Sequence, residues 1–213
     1  MNLYEEEGKT ATNRTSSSPR ITNPTSANYA KDQYPYNYVY CSEAQKIANA
    51  DSTSAYTSSI PFGIQWDLAC KFLEVKQAKT YKEIATDSTW GNYYDTLYTP
   101  SSTAKYSTDN GKKFNTVVVD GTTYSKTSGS VLLTTGAIEA TTASTDANPM
   151  NIYDFAGNVF EWTLERAIAS ISNPCVYTGG SSRGYSSSYP ASFCSGNSPV
   201  FNNYDTGFRR TLY

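Results

Sequence analysis

Residues 151–165, NIYDFAGNVFEWTLE, constrain the fold of this chain more tightly than any other stretch. Asp154 to Asn158 predicts a turn in which Gly157 is free to take positive φ. Polar and apolar residues then alternate. Val159, Glu161, Thr163 and Glu165 fall on one side, and Phe160, Trp162 and Leu164 on the other. A period of two is that of a half-buried strand. PCVYTGG (174–180) predicts a second strand and TGFRRTLY (206–213) a third.

The first half reads differently. SEAQKIANA (42–50) predicts a helix capped by Ser42. IPFGIQWDLACKFLEVK (60–76) predicts a stronger one, with Pro61 and Gly63 at its start. Ile64, Leu68, Phe72 and Val75 form its apolar stripe, with Trp66, Ala69 and Leu73 beside them, and the Trp and Phe are expected in the core. From 87 to 130 the pattern breaks into short strands and turns. Asp109-Asn110-Gly111 marks a tight turn, and Asp120-Gly121 a hairpin between TVVV and TTYS. SVLLTTGAIE (130–139) predicts a buried strand and ATTASTDANP (140–149) a polar loop. Helices first and short strands later give an α+β class with much irregular structure. Residues 1–35, rich in Ser, Thr, Asn and Pro, predict an extended arm or linker, leaving 36–213 as one domain.

Composition excludes several chemistries. The chain of 213 residues has a net charge of −2 and no His. A Ser–His–Asp triad and a His-ligated zinc are therefore excluded, and near-neutral charge argues against nucleic acid as a partner. No apolar run is long enough to insert in a membrane, and MNLYEEEGKT lacks the basic and apolar regions of a signal peptide. Cys41, Cys70, Cys175 and Cys194 fit no paired CxxC metal site. Free, buried thiols are the expectation for a protein made in the cytoplasm, and one disulfide after release is the alternative.

NIYDFAGNVFEWTLE, VYTGGSS and DTGFRRTLY together resemble the formylglycine-generating enzyme (sulfatase-modifying factor) superfamily, with Phe160 where that pattern has Trp. IPFGIQWDLA is similar to the start of that family's helix. The likeness spans about residues 36–213 and implies a C-type-lectin-like fold. Enzymes of this family hold copper between two thiols a short distance after the Gly-Gly. The matching positions here are Gly184 and Tyr189, and neither supplies the soft thiolate that Cu(I) requires. Cys194 is one sulfur, and one sulfur does not make a two-thiolate site. No catalytic residue and no cofactor are therefore expected. A structural calcium, used by related folds, has no ligands that the sequence nominates.

Between Ser181 and Thr206 the chain carries eight Ser, three Tyr, three Asn and two Phe, with Arg183 and Asp205 its only charges. Antibody paratopes use the same chemistry: aromatic rings give rigid contact area, and Ser, Gly and Asn give adaptable hydrogen bonds. A plain surface loop is the alternative. The C-terminal position, the lectin-like scaffold and the closing Gly-Phe-Arg are similar to the variable proteins of diversity-generating retroelements. Adenine-directed mutagenesis of their Asn codons cannot produce Lys, Glu, Gln, Met or Trp, and the window 181–206 contains none of these five. The expectation is a non-catalytic, hypervariable ligand-binding protein. Its contact residues would be Ser182, Gly184, Tyr185, Ser187, Phe193, Ser195, Asn197, Phe201, Asn203 and Tyr204. Gly179, Gly180, Pro190, Gly207, Phe208 and Arg209 would be framework, and Tyr153 and Trp162 core. The expected partner is a protein or glycan on a cell surface, met from a virion tail or another cell surface; a homo-oligomer is compatible with this. Two rivals stand beside it: an oxidase of the family's copper type, and a structural tail or surface domain without a variable role.

Overall fold

The computed structural model describes residues 35–98, 105–107, 115–116, 124–125, 138–139 and 149–213. Three helices come first: α1 (Cys41–Asn49), α2 (Gly63–Val75) and α3 (Tyr81–Ala85). Each starts where a Glu or Gln in its first turn reaches back to a free backbone N–H. Tyr40 N–H donates to Glu43 at 3.3 Å, Phe62 N–H to Gln65 at 2.9 Å and Thr80 N–H to Glu83 at 2.8 Å. Only α3 completes the reciprocal capping box, its Glu83 N–H donating to the Thr80 hydroxyl at 3.3 Å. Ser42 is not a cap: α1 starts a residue before it, because the extended residue preceding the helix is Tyr40.

Eleven short strands are described. β1 (Ser58–Ser59) pairs antiparallel with β11 (Thr211–Leu212), tying the end of the chain to its first half. β2 (Leu97–Tyr98) pairs with β5 (Tyr124–Ser125), and β3 (Lys105–Ser107) lies between β4 (Asn115–Thr116) and β6 (Ile138–Glu139). The central sheet has four strands in the order β10 (Thr206–Gly207), β7 (Phe160–Arg166), β8 (Cys175–Thr178), β9 (Cys194–Asn197). β10 runs parallel to β7, and the other neighbours are antiparallel. This mixed α+β arrangement, irregular over much of its length, agrees with the expected lectin-like class.

Two cores flank this sheet. In one, Trp162 is fully buried among Tyr36, Ile47, Ile60 and Phe208, and its indole N–H donates to the Val39 carbonyl at 2.8 Å. In the other, Trp66 stacks on Phe155 with centroids 4.1 Å apart, and its N–H donates to the Ala191 carbonyl at 2.8 Å. Buried Trp normally finds such a partner. The turn before β7 forms as expected, with Gly157 at φ 73°. Asn158 beside it is also left-handed, at φ 63°. Its side-chain oxygen accepts from Glu139 N–H at 2.9 Å and its amide donates to the Glu139 carbonyl at 2.9 Å.

Several elements depart from expectation. On α2 the apolar stripe is reversed: Ile64, Leu68, Phe72 and Val75 are exposed, whereas Trp66, Cys70 and Leu73 are buried. Both stripes are apolar; the one carrying Trp66 has the larger ring and the partnered indole, and it packs inward. β7 is buried on both faces at its centre, with Glu161, Trp162 and Thr163 all inaccessible: Trp162 packs into one core, while Glu161, on the other face, is held by buried Arg209. The terminal segment forms two short strands in different sheets instead of one. Thr116 pairs with Lys105, and Tyr124 with Tyr98, so TVVV and TTYS do not pair as a simple hairpin over these residues. The arm up to residue 34, the turns at 109–111 and 120–121, all of 130–137 and the loop 140–148 lie outside the described residues. Of the four thiols, which are free, Cys70 is buried, Cys41 and Cys175 are half-buried and Cys194 is exposed.

Candidate ligand-binding face

The framework residues converge beneath the segment 181–206. Gly179 sits at φ 72°, a conformation that favours glycine, and the backbone turns there against the Trp66 ring. Gly180, Pro190, Gly207, Phe208 and Arg209 are all buried. Arg209 forms a bidentate pair with the carboxylate of Glu161: Nε donates to one oxygen and Nη2 to the other, the latter at 2.7 Å. The guanidinium also lies 5.1 Å from the centroids of both Trp66 and Phe155. Two buried charges survive here because they satisfy each other in matched geometry. Arg209, expected as a framework residue, is buried in the frame and braces it through this pair.

On that base, residues 181–193 make a tied-down loop and 194–197 a strand. Ser186 donates its N–H and hydroxyl to the two oxygens of Asp95, at 2.9 and 3.2 Å. Tyr94 N–H donates to the Gly184 carbonyl at 2.9 Å, and the Tyr94 and Tyr185 rings lie 5.1 Å apart. β9 then pairs with β8, Ser195 opposite Tyr177 and Asn197 opposite Cys175. Side chains two apart share a face, so Tyr177, Ser195 and Asn197 lie together. Burial, with Tyr189 and Asp205 nearby, raises the Tyr177 phenol above its ordinary range.

A continuous group of half-buried rings crosses this surface. Phe160 meets Tyr177 edge-on at 4.7 Å and Tyr189 at 5.6 Å; Tyr189 meets Phe193 at 4.9 Å; Tyr177 stacks on Phe201 at 6.4 Å. Edge-on contacts at these spacings are attractive and restrict the rings. The face is thus aromatic and preorganised, with amide and hydroxyl groups among the rings.

The ten residues nominated from sequence separate into three groups. Tyr185 and Ser187 are exposed. Phe193, Ser195, Asn197 and Phe201 are half-buried on or beside the ring group, and Asn203 is half-buried where its carbonyl accepts from Tyr38 N–H. Ser182, Gly184 and Tyr204 are buried, which corrects their expected place at the surface. Ser182 is enclosed where its N–H donates to the Asn158 carbonyl at 3.0 Å. Tyr204 packs with Tyr38, Ile138 and Val159, and its hydroxyl accepts from Arg183. Sequence reading passed over Phe160, Tyr177 and Tyr189 as parts of the face. The alternation in PCVYTGG could have found Tyr177, since Tyr177 and Cys175 must share a side.

The positions that match the copper thiolates lie together. A Cβ placed on Gly184 would meet the Tyr189 ring at 2.6 Å. The Tyr189 ring thus occupies the space beside Gly184, and neither residue offers a sulfur. The residues present do not fit the family's copper. Among the described residues, no three Cys, Asp or Glu side chains group to hold a metal ion, and no helix is long and apolar enough to cross a membrane.

The family model of the sulfatase-modifying factor enzyme 1-like domain matches residues 3–212. No curated protein is similar enough in sequence to count as a match. Among solved structures, the crystal structure of CarF is similar at 18% identity and a TM-score of 0.52, covering 83% of this chain and 67% of that one. Treponema denticola variable protein 1 is similar at 16% identity and a TM-score of 0.49, covering 89% of this chain and 77% of that one. Since the family model spans nearly the whole length, this chain belongs to the sulfatase-modifying factor enzyme 1-like family.

Proposed function

We propose that this chain binds ligands without chemistry, through a variable face built by Tyr185, Ser187, Phe193, Ser195, Asn197, Phe201 and Asn203 together with Phe160, Tyr177 and Tyr189. The observation that carries this reading is the placement of the Tyr189 ring against Gly184, at the two positions that match the copper thiolates. A contact surface stands where a family oxidase would place its metal. The partner is a protein or glycan on a cell surface, met by this chain from a virion tail or another cell surface. Rings fixed by their neighbours lose little entropy on contact, and the Ser and Asn groups adapt to the ligand. Display in many copies raises avidity where single-site affinity is modest. The gene of such a protein is diversified by a retroelement, and the residue types in 181–206 are compatible with that origin.

Arrays of glycans and of cell-surface proteins test the reading. A ligand retained by the native chain should lose at least tenfold in affinity on Tyr185→Ala, an exposed position whose truncation spares the core. Copper-dependent oxygen uptake with a Cys-containing peptide, at a rate dependent on Cys194, would instead establish an oxidase. A second check is genetic. Codons for 181–206 that vary among related genomes no more than the rest would favour a structural domain.

A further inference from the structure

Cys41 opens α1 and Cys175 opens β8, and both side chains pack against the Trp162 core. The Cys41 sulfur lies 3.8 Å from the Thr163 carbonyl on β7. The Thr163 hydroxyl donates to the Val176 carbonyl at 3.3 Å, one residue beyond Cys175. Thr163 thus links the start of α1 to the start of β8, with both thiols against the same core and Cys175 near enough to act on the Cys41 thiol. Cys70 and Cys194 lack this arrangement: the groups acting on them are Asp67, Arg209 and Glu165, not a second thiol. Cys41 lies on α1 and Cys175 precedes the Gly179-Gly180 pair, so neither stands at Gly184 or Tyr189, the positions that match the family's copper thiols.

We propose that Cys41 and Cys175 form an oxidation site that closes to a disulfide, fastening α1 to the first residue of β8, an inner strand of the central sheet. The oxidant is a small-molecule disulfide or a disulfide-bonded oxidoreductase. One protein thiolate attacks it and releases one reduced thiol, leaving a mixed disulfide. The second protein thiolate displaces the other half as a second thiol. Two S–H bonds of the chain are lost and one S–S bond forms; the two electrons and two protons reduce the oxidant to two thiols. Burial, then the adjacent Cys175, push the Cys41 thiol up to about 12. Cys41 therefore stays protonated at neutral pH, and closure quickens as pH rises because exchange runs through the thiolate. The bond would join positions about 130 residues apart, and long loops give a disulfide its largest effect on the unfolded chain. This inference is independent of what the face binds.

The test uses the full chain. It is incubated with glutathione disulfide at about pH 8.5, quenched in acid, alkylated under denaturing conditions and digested without reduction. Mass spectrometry should find the Cys41 and Cys175 peptides joined, with Cys70 and Cys194 alkylated. The thermal midpoint should rise by about 5–10 °C, fall back on reduction, and not respond to oxidant in Cys41→Ala or Cys175→Ala. The peptide map needs no substitution, so it decides the matter even where a variant fails to fold. Recovery of Cys41 and Cys175 as alkylated peptides, including with Cys70 joined to Cys194, would overturn the proposal. So would a joined pair that leaves the midpoint unmoved.

Discussion

Arg209 has two tasks, and a substitution there separates them. Its guanidinium neutralises Glu161 on β7 and lies over the Trp66–Phe155 pair, so it links the central sheet to the α2 core. Arg209→Ala leaves the Glu161 carboxylate buried without its partner and should cost about 3–5 kcal/mol in urea unfolding. Arg209→Lys should recover only part of this, because a point charge cannot reproduce the bidentate contact. A loss below about 1 kcal/mol for Arg209→Ala would mean that the pair does not brace the frame. Glu139 gives a pH signature. Burial, then the nearby Asp154, raise its carboxyl well above the ordinary value of 4.5, and burial raises Asp205 in the same direction. A carboxyl raised on folding holds its proton more tightly in the folded chain. Its stabilising contribution is full below the ordinary value and is lost as pH rises through the folded one. Urea midpoints should therefore be lower at about pH 8 than at about pH 5, and Glu139→Gln should reduce that difference. A Glu139→Gln profile as steep as that of the native chain would contradict this. At this scale the sequence was legible where a residue type has few alternatives. Gly157 had to accept positive φ, and the Arg after Gly-Phe found its acid. The burial of Ser182 and Tyr204 was not legible, since a Ser or Tyr in a polar stretch looks the same whether it meets solvent or the Arg183 side chain and the core.

The helices show what periodicity can and cannot decide. α1 and α2 stand where the pattern puts them and α3 was not foreseen, yet α2 turns its Ile64–Leu68–Phe72–Val75 stripe outward. Two apolar stripes on one helix give the same period, and only packing selects between them. Leu73→Ala should cost about 2–5 kcal/mol by leaving a cavity, whereas Leu68→Ala should stay within about 0.5 kcal/mol. Equal losses in chemical denaturation would contradict the reversed face. α3 depends on its box: Thr80→Ala should cost about 1 kcal/mol. Strand β9 was hidden for a physical reason. Cys-Ser-Gly-Asn has no apolar alternation, and its order comes from backbone pairing with β8, which composition does not record.

Across the described residues, the Glu161–Arg209 pair and the frame glycines Gly179, Gly180 and Gly207 lie inside, while Tyr185, Ser187, Phe193, Ser195, Asn197 and Phe201 lie at or near the surface. The motifs that resemble the family place β7, β8 and β10 correctly and so define the frame. They say less about the face, because part of it, Phe160 and Tyr177, is drawn from the frame's own strands. A frame of this kind should hold its fold while its contact residues change. The most direct test is the folded fraction of a displayed library in which Tyr185, Ser187, Phe193, Ser195, Asn197, Phe201 and Asn203 are varied together among Tyr, Ser, Asn, Asp, Gly, Phe and Val. The account expects most members to fold, while a matched library at Gly179, Gly180, Phe208 and Arg209 collapses. Equal collapse of both libraries would contradict it.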